Sequence, residues 1–207
     1  MAAGAVVGDG AWLGRLEGGL GGLLASVFAQ ARSRLTAVAY IGALLAGPGE
    51  RWSCWQLAGQ AGHATPRRMR ALLAGHAWDW TAALKALQRF IVAYLGDVGA
   101  VVVADETAEL KEGTLSVGVA RQHAGITGQV ENGQAVVFAA CVTGCARALV
   151  DFRLCLPESW CAGRARRKQA RVPDEAEFAA RPALGTAMIT GAASAGVPFA
   201  WVAAGEV

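Results

Sequence analysis

The spacing of apolar residues changes once along this chain, at about Gly96, and no other feature constrains the fold as strongly. Before Gly96, apolar residues recur every three or four positions, as they do on one face of a helix. After it, they form short runs or alternate with polar residues, as they do in strands. The sequence therefore predicts an α/β protein, with a helical domain at residues 1–96 and a mixed sheet with helices at residues 97–207.

Composition limits the class of protein further. The 207 residues carry 19 Lys and Arg against 16 Asp and Glu, and only 17% are charged, which excludes a chain that is mainly disordered. The longest uncharged stretch, 182–205, is interrupted by Gly196-Val197-Pro198, so we expect no membrane span. Met1–Trp12 lacks the basic start of a secretion signal, and the five cysteines form no disulfide-dense pattern, so we expect a reducing, cytoplasmic location.

Two helices of the first domain have clear apolar faces. The face predicted for the earlier helix consists of Val27, Ala31, Leu35, Val38, Gly42 and Leu45. We expect Gly47-Pro48-Gly49 to end that helix. The later helix has Asp79 as its predicted N-cap and Gly96 as its predicted C-terminal cap. Its apolar face is expected to contain Leu84, Leu87, Ile91, Tyr94 and Leu95.

Residues 52–74, between these helices, have the small-residue spacing of a helix-turn-helix. Ala58 lies where the two helices would touch, Gly62 where the chain would turn left-handed, and Pro66 at the start of the second helix. This second helix carries three arginines that would contact DNA phosphates or base edges, Arg67, Arg68 and Arg70. An amphipathic hairpin with solvated arginines is the alternative, and this segment alone favours it.

Four strands are predicted in series after Gly96, as an antiparallel meander. They lie at residues 100–104, 116–120, 135–142 and 150–156. In the fourth strand, Val150, Phe152 and Leu154 alternate with Asp151, Arg153 and Cys155, so we expect the apolar set to face the core. A loop at 157–174, a helix at 182–195 and a last strand at 199–203 are expected to follow.

The first of these strands ends in Asp105-Glu106-Thr107. An unpaired carboxylate at the end of a buried strand costs on the order of several kcal/mol, so it needs a cation, a metal or hydrogen-bond donors. Side chains alternate along a strand, so Asp105 and Glu106 should point to opposite faces, and at most one of them would serve a given site. Capping of the next turn is the alternative role, which this short stretch alone favours.

Seven segments then follow one another in a fixed order. They are Asp105-Glu106-Thr107, Lys111 to Gln122, Gly125 to Gly128, Glu131 to Gln134, Leu156 to Trp160, Val172 to Asp174 and Val197 to Val202. In order and spacing they resemble the insertion-sequence transposases of the DDE superfamily, also called DDE superfamily endonucleases. The resemblance extends from about Ala31 to the last residue and includes Trp55-Gln56-Leu57-Ala58.

The resemblance implies a ribonuclease H-like domain in which three acids hold two divalent metals, usually magnesium, for phosphodiester cleavage and strand transfer. It makes Asp105 the first of these acids, both catalytic and metal-binding, and Glu106 a neighbour rather than a ligand. Where the family has its second acid this chain has Gly205, Glu206 comes one residue late, and the third acid is expected beyond residue 207. We therefore expect an incomplete, truncated domain at residues 97–207 that holds Mg²⁺ poorly and is catalytically incompetent.

Further basic residues indicate contacts with nucleic acid. Lys111 and Arg121 lie in the family's polar stretch near the site. Five cations occur within Gly163–Arg171, predicted as a loop, and the candidate DNA contacts among them are Arg164, Arg166, Arg167 and Lys168. A solvated charged loop is an equal alternative.

Three roles therefore remain open for the chain. It is a truncated DDE transposase, a non-catalytic module that binds transposon ends or inhibits an intact transposase, or an inert structural remnant. The expected partner is DNA at the transposon ends, and a homo-oligomer or pairing with an intact transposase is a further possibility.

Overall fold

The computed structural model describes residues 18–46, 52–74 and 78–205. The chain divides into two compact units, residues 1–87 and 88–207. The described residues form helices and one five-stranded mixed sheet, which confirms the predicted α/β class. Within this part of the chain, none of the helices has the length and hydrophobicity needed to span a lipid bilayer.

Helices make up the regular structure described in the first unit. A 3-10 turn at Leu24–Ser26 is followed by α1 (Ala31–Ala46), α2 (Cys54–Gln60), α3 (Arg67–Ala74) and α4 (Trp80–Tyr94). The last of these continues into the second unit. Gly47-Pro48-Gly49, the predicted stop after α1, lies outside the described residues.

The buried face of α1 matches the predicted one only in part, because Val38 and Gly42 are buried as expected and two leucines are not. Leu35 and Leu45 are 68% and 56% exposed, whereas the small residues Ala37 and Ala43 are buried. Ala37 belongs to a core cluster with Val27, Phe28, Leu72 and Ala86. Small side chains let such bulky neighbours approach the helix closely. The prediction placed the large apolar residues on the buried face and so missed this contact.

The helical hairpin predicted at residues 52–74 is present. Ser53 and Gln56 form a capping box at the start of α2, because the Ser53 hydroxyl accepts from the Gln56 N–H and the Gln56 side chain accepts from the Ser53 N–H. Gly62 has a φ of +72°, which confirms the predicted left-handed turn, and Ala58 is buried as expected.

Asp79 is the N-cap of α4, as predicted. Its carboxylate accepts from the N–H groups of Thr81 and Ala82 at 2.9 and 3.0 Å. Gly96 has a different role from the predicted one, because it does not adopt the left-handed backbone of a cap. A Cβ at Gly96 would lie 2.8 Å from Cγ of Pro198, so close packing requires the glycine. Leu87 and Tyr94, both predicted on the buried face of α4, are exposed.

The second unit contains the sheet. Its elements are β1 (Val101–Leu110), β2 (Ala120–Ala124), β3 (Gln129–Val142), β4 (Arg147–Leu154), α5 (Glu158–Ala162), α6 (Arg164–Gln169), α7 (Arg181–Ser194) and β5 (Trp201–Ala204). The long strand β3 is central and pairs antiparallel with β1, β2 and β4, while β5 pairs parallel to β1. Gly133 has Cα partners in both β1 and β2, so these two strands lie at opposite edges of β3.

This topology corrects the predicted meander, because β1 pairs with β3 and not with β2. The second strand begins at Ala120, where the prediction ended it. Gly118 has a φ of +79° and a Cβ there would lie 2.8 Å from the Cys155 carbonyl oxygen, so the chain turns where a strand was expected. The predicted loop at 157–174 contains the two short helices α5 and α6. The predicted helix and strand near the end match α7 and β5 within two residues.

Val150 is buried as predicted, but the residues of β4 after it face the opposite way from the prediction. Phe152 is 50% exposed and Leu154 37%, whereas Asp151 and Cys155 are 3% and 8% exposed. The cause is an irregularity in pairing: Ala139 and Ala140 of β3 pair with Asp151 and Leu149, so Val150 is an extra residue without a partner. An extra residue shifts the alternation by one, and each later side chain changes face.

Helix α7 covers one face of the sheet. Its Met188 and Ala192 are fully buried in a core with Val102, Ala139 and Val150. Gly185 also faces the sheet, since a Cβ there would lie 3.7 Å from Cβ of Ala104. The small residues of α7 therefore hold the helix close to β1 just before Asp105.

Candidate active-site cleft

The parallel pairing of β1 and β5 places residue 205 beside Asp105. Ala104 pairs with Ala204, and the Gly205 N–H donates to the Ala104 carbonyl oxygen at 3.3 Å. A Cβ at Gly205 would lie 3.0 Å from Oδ1 of Asp105. A carboxylate at residue 205 would therefore adjoin that of Asp105, but glycine supplies no side chain.

Asp105 itself is exposed at the mouth of a small cleft. Its Oδ1 accepts from the Glu106 N–H at 2.8 Å. The cleft has a volume of about 260 Å³ and is lined by residues of β1, α7 and the end of β5, among them Glu106, Arg181 and Gly205. Asp105 lies within β1, which continues to Leu110, and not at the strand end that the sequence predicted, so an interior strand residue presents its carboxylate to this cleft.

Glu106 is held by a cation from α7. Nη1 of Arg181 lies 2.6 Å from Oε2 and 2.7 Å from Oε1 of Glu106, and Nη2 lies 3.4 Å from Oε1 of Gln122. Pro182 in the first turn of α7 favours a helix start at this point, which places Arg181 above the sheet. The charge of Glu106 is therefore balanced by Arg181, although Oε2 is buried without a hydrogen bond.

Cys155 lies on the same side of the sheet and lines a second cavity, of about 480 Å³, together with Gln122 and Arg181. Burial raises the pKa of the Cys155 thiol, and the charge of Arg181 opposes this effect only in part. The thiol is therefore protonated near neutral pH and is neither an activated nucleophile nor a ready metal ligand.

Comparison with known proteins identifies the family. The family described as DDE superfamily endonuclease matches residues 23–206, which is most of the chain. The chain belongs to the DDE superfamily endonucleases. No curated protein and no solved structure is significantly similar to it.

DDE superfamily endonucleases generally depend on divalent metals, and the residues at this cleft do not fit such a group. Asp105 is a single exposed carboxylate, Glu106 is paired with Arg181, and Gly205 adds no ligand. Among the residues that the structure describes, no three His, Cys, Asp or Glu side chains lie together as a metal site. One carboxylate offsets little of the charge of a divalent ion, so no catalytic step through a metal follows from this geometry.

The arginines predicted to contact DNA from the first unit lie on the outer side of α3. Arg67, Arg68 and Arg70 are exposed, whereas Met69 and Leu72 of the same helix are buried. The helix is therefore amphipathic, with its cations in solvent. This arrangement fits both a DNA-binding helix and a solvated hairpin, so the role of the three arginines stays a prediction.

Lys111 and Arg121, the candidates from the polar stretch, have partners within the protein. Nζ of Lys111 lies 2.5 Å from Oε2 of Glu109, and this contact lowers the pKa of the Glu109 carboxyl. Arg121 is exposed, and its Nη2 donates to the Val130 carbonyl oxygen at 3.1 Å. Their contact with DNA also stays a prediction.

Two of the four candidates at α6 are used to hold the fold together. Arg166 lies 3.8 Å from the ring centroid of Trp160 and donates to the carbonyl oxygens of Thr114 and Val119. Arg167 donates to backbone carbonyls at the end of α5 and after α6, those of Cys161, Pro173, Asp174 and Ala176. This bonding favours a structural role for both, while Arg164 and Lys168 are exposed.

Sequence reasoning missed Arg181 and Trp160. Arg181 is 75 residues from Glu106, and the indole N–H of Trp160 donates to the carbonyl of Val119, 41 residues away. No local pattern links residues so far apart. The only available signal was that Trp160 lies within one of the family's segments.

Proposed function

We propose that the polypeptide of residues 1–207 is a DDE transposase form that binds DNA, including transposon ends, without metal-dependent nicking or strand transfer. The observation that carries this proposal is the glycine at residue 205. A Cβ added there would lie 3.0 Å from Oδ1 of Asp105, but the glycine provides no carboxylate. The exposed arginines of α3 and cations of α6 support DNA binding.

The physical reason lies in the chemistry of phosphoryl transfer. Two-metal enzymes use paired cations to stabilise both the attacking and the leaving oxygen. Magnesium gives up its water reluctantly and needs carboxylates to offset its charge. Asp105 alone offers too little negative charge to position such a pair, because the charge of the neighbouring Glu106 is balanced by Arg181.

The decisive experiment supplies the absent carboxylate. We expect Gly205→Asp to bind Mn²⁺ at least about tenfold more tightly than the unsubstituted chain, a gain of about 1.4 kcal/mol, in calorimetric titration. Gly205→Asn is the matched control, because it adds a side chain of nearly the same size without the charge. The gain should disappear in the double variant Gly205→Asp, Asp105→Ala. Equal Mn²⁺ binding by the Asp and Asn variants would contradict the assigned geometry.

A nicking assay tests the proposed lack of cleavage. Supercoiled plasmid incubated with the 207-residue chain and either Mg²⁺ or Mn²⁺ should remain supercoiled. Nicking that Asp105→Ala abolishes would show that the cleft is catalytic as it stands, and the proposal would then be wrong.

A gel shift on terminal inverted repeats separates the DNA-binding role from the inert remnant. We expect a salt-sensitive shift, because phosphate contacts release counterions. A chain without any DNA affinity would instead support the inert alternative. Where a shift is found, adding the chain to an intact transposase tests whether it inhibits by occupying the ends.

A further inference from the structure

Helix α6 and the turn after it enclose a basic concavity of about 840 Å³. Its lining includes four cations, Arg164, Arg167, Lys168 and Arg171, and one carboxylate, Asp174. None of these residues lines the cleft at Asp105. We propose that this concavity binds the phosphate backbone of double-stranded DNA, an inference that rests on the proposed DNA-binding function and locates it in the second unit.

Three of the four cations are available to a ligand. Arg164, Lys168 and Arg171 are exposed, and none of them forms an ion pair with another residue of the described chain. Arg164 and Lys168 are four residues apart in α6, where like charges on a helix destabilise it. A polyanion that binds both cations would relieve this repulsion.

The backbone at the end of α6 gives independent evidence. The Val172 N–H donates to the Arg167 carbonyl at 2.9 Å and the Arg171 N–H donates to that of Lys168 at 3.2 Å, the paired bonds of a Schellman motif. The residue in the left-handed position is Arg171, with a φ of +56°, where glycine is usual. A left-handed arginine is strained, and such strain at an outlier supports a functional role for its side chain.

The segment that lines the concavity after α6 is held in place by hydrogen bonds and packing. Arg167 donates to three carbonyls of the segment after α6, those of Pro173, Asp174 and Ala176. Val172 is buried in a small core with Trp160 and Val119. These contacts fix the segment on which Arg171 lies, so the free cations are presented on a preorganised surface, which reduces the entropy lost on binding.

The test measures binding of the 207-residue chain to a random-sequence DNA duplex by fluorescence anisotropy between 50 and 200 mM salt. We expect the double variant Arg164→Ala, Lys168→Ala to weaken binding about tenfold and to lower the slope of log K against log salt by about two. Arg147→Ala is the matched control, since Arg147 is an exposed arginine of the same unit outside the concavity. It should change both quantities much less.

Arg171 permits a second test in which stability and binding move in opposite directions. We expect Arg171→Gly to raise the midpoint of thermal unfolding by about 2–4 °C, because it removes the left-handed strain, and to weaken DNA binding. Arg171→Lys keeps the charge and should keep most of the affinity. A purely structural arginine would give the stability gain with no loss of binding.

The outcomes distinguish this proposal from the proposed function. If the wild-type chain binds DNA and the double variant binds with the same affinity and salt slope, the concavity is not the DNA-binding site. DNA binding itself would stand in that case. A wild-type chain without DNA affinity would overturn both. Polyglutamate that competes as well as DNA at equal charge concentration, or an RNA duplex that binds more tightly, would overturn DNA as the partner.

Discussion

At the scale of single residues, the two adjacent carboxylates of β1 have different environments. Alternation along the strand takes Glu106 to the face covered by α7, where Arg181 neutralises it, and leaves Asp105 exposed beside Gly205. Two neighbouring acids in sequence therefore do not form one site here. A second carboxylate beside Asp105 would have to come from across the strand pair, from residue 205, where this chain has glycine.

The Glu106–Arg181 pair is expected to stabilise the fold. Both side chains are about 30% exposed, so removing Arg181 leaves a half-buried carboxylate without its cation. We expect Arg181→Ala to lower the free energy of unfolding by about 1–3 kcal/mol in urea. The double variant with Glu106→Gln should lose less than the sum of the single variants, with a coupling of about 1 kcal/mol.

The exposed pair Lys111–Glu109 provides the comparison for this cycle. Glu109 is 70% exposed, so Lys111→Ala should change the free energy of unfolding by less than about 1 kcal/mol. Additive effects of Arg181→Ala and Glu106→Gln would show that the 2.6 Å contact contributes nothing to stability.

At the scale of elements, features fixed by short-range bonds could be predicted from the sequence. Asp79 caps α4 through N–H groups two and three residues away, and Gly62 turns left-handed at the end of α2, where the N–H groups of Gly62 and His63 donate to the carbonyls of Gly59 and Ala58. Features fixed by distant partners could not. The unpaired Val150 reverses the faces of β4 after it, and Gly118 ends a predicted strand because the Cys155 carbonyl lies against it.

The same distinction applies to the candidate site. The assignment to the family is confirmed, whereas the role that the resemblance gives to Asp105 stays a prediction. Its surroundings depend on contacts between residues far apart, such as Arg181 with Glu106 and Arg166 with the Thr114 carbonyl. A basic run in the sequence cannot distinguish an arginine that bonds the backbone from one that is free.

The cap at Asp79 predicts a specific pH dependence. Hydrogen bonds from Ala82 and Thr81, with the charge of Lys85, lower the pKa of the Asp79 carboxyl from its ordinary 3.8. A lowered pKa in the folded state stabilises the fold fully above 3.8, and this contribution is lost as the pH falls through the lowered pKa. The thermal midpoint should fall over that acid range.

Two substitutions separate the charge of this cap from its hydrogen bonds. Asp79→Asn keeps an acceptor, so it should retain most of the stability at pH 7 while showing a weaker fall in acid. Asp79→Ala should lower the midpoint at pH 7 as well. If the thermal midpoint of the wild type and of Asp79→Asn falls equally in acid, another carboxyl controls the transition.

At the scale of the whole molecule, β5 is an edge strand of the sheet. All four residues of β5 are exposed, and β1 is its only partner among the strands of residues 18–46, 52–74 and 78–205. An exposed edge with apolar side chains presents unpaired backbone groups to other chains. Trp201 and Val202 add apolar surface to that edge.

This edge predicts concentration-dependent self-association of the 207-residue chain, measured by sedimentation velocity. Val202→Lys should reduce it, because lysine on an edge strand must be desolvated before another strand can pair there. Val130→Lys is the matched control: Val130 of β3 is 52% exposed and Val202 is 50% exposed, so both substitutions place the same charge on a similar surface. If the two variants reduce association equally, net charge is the cause, and β5 is not the surface through which copies meet. If only Val202→Lys reduces it, with the thermal midpoint unchanged, the free edge of β5 carries the association.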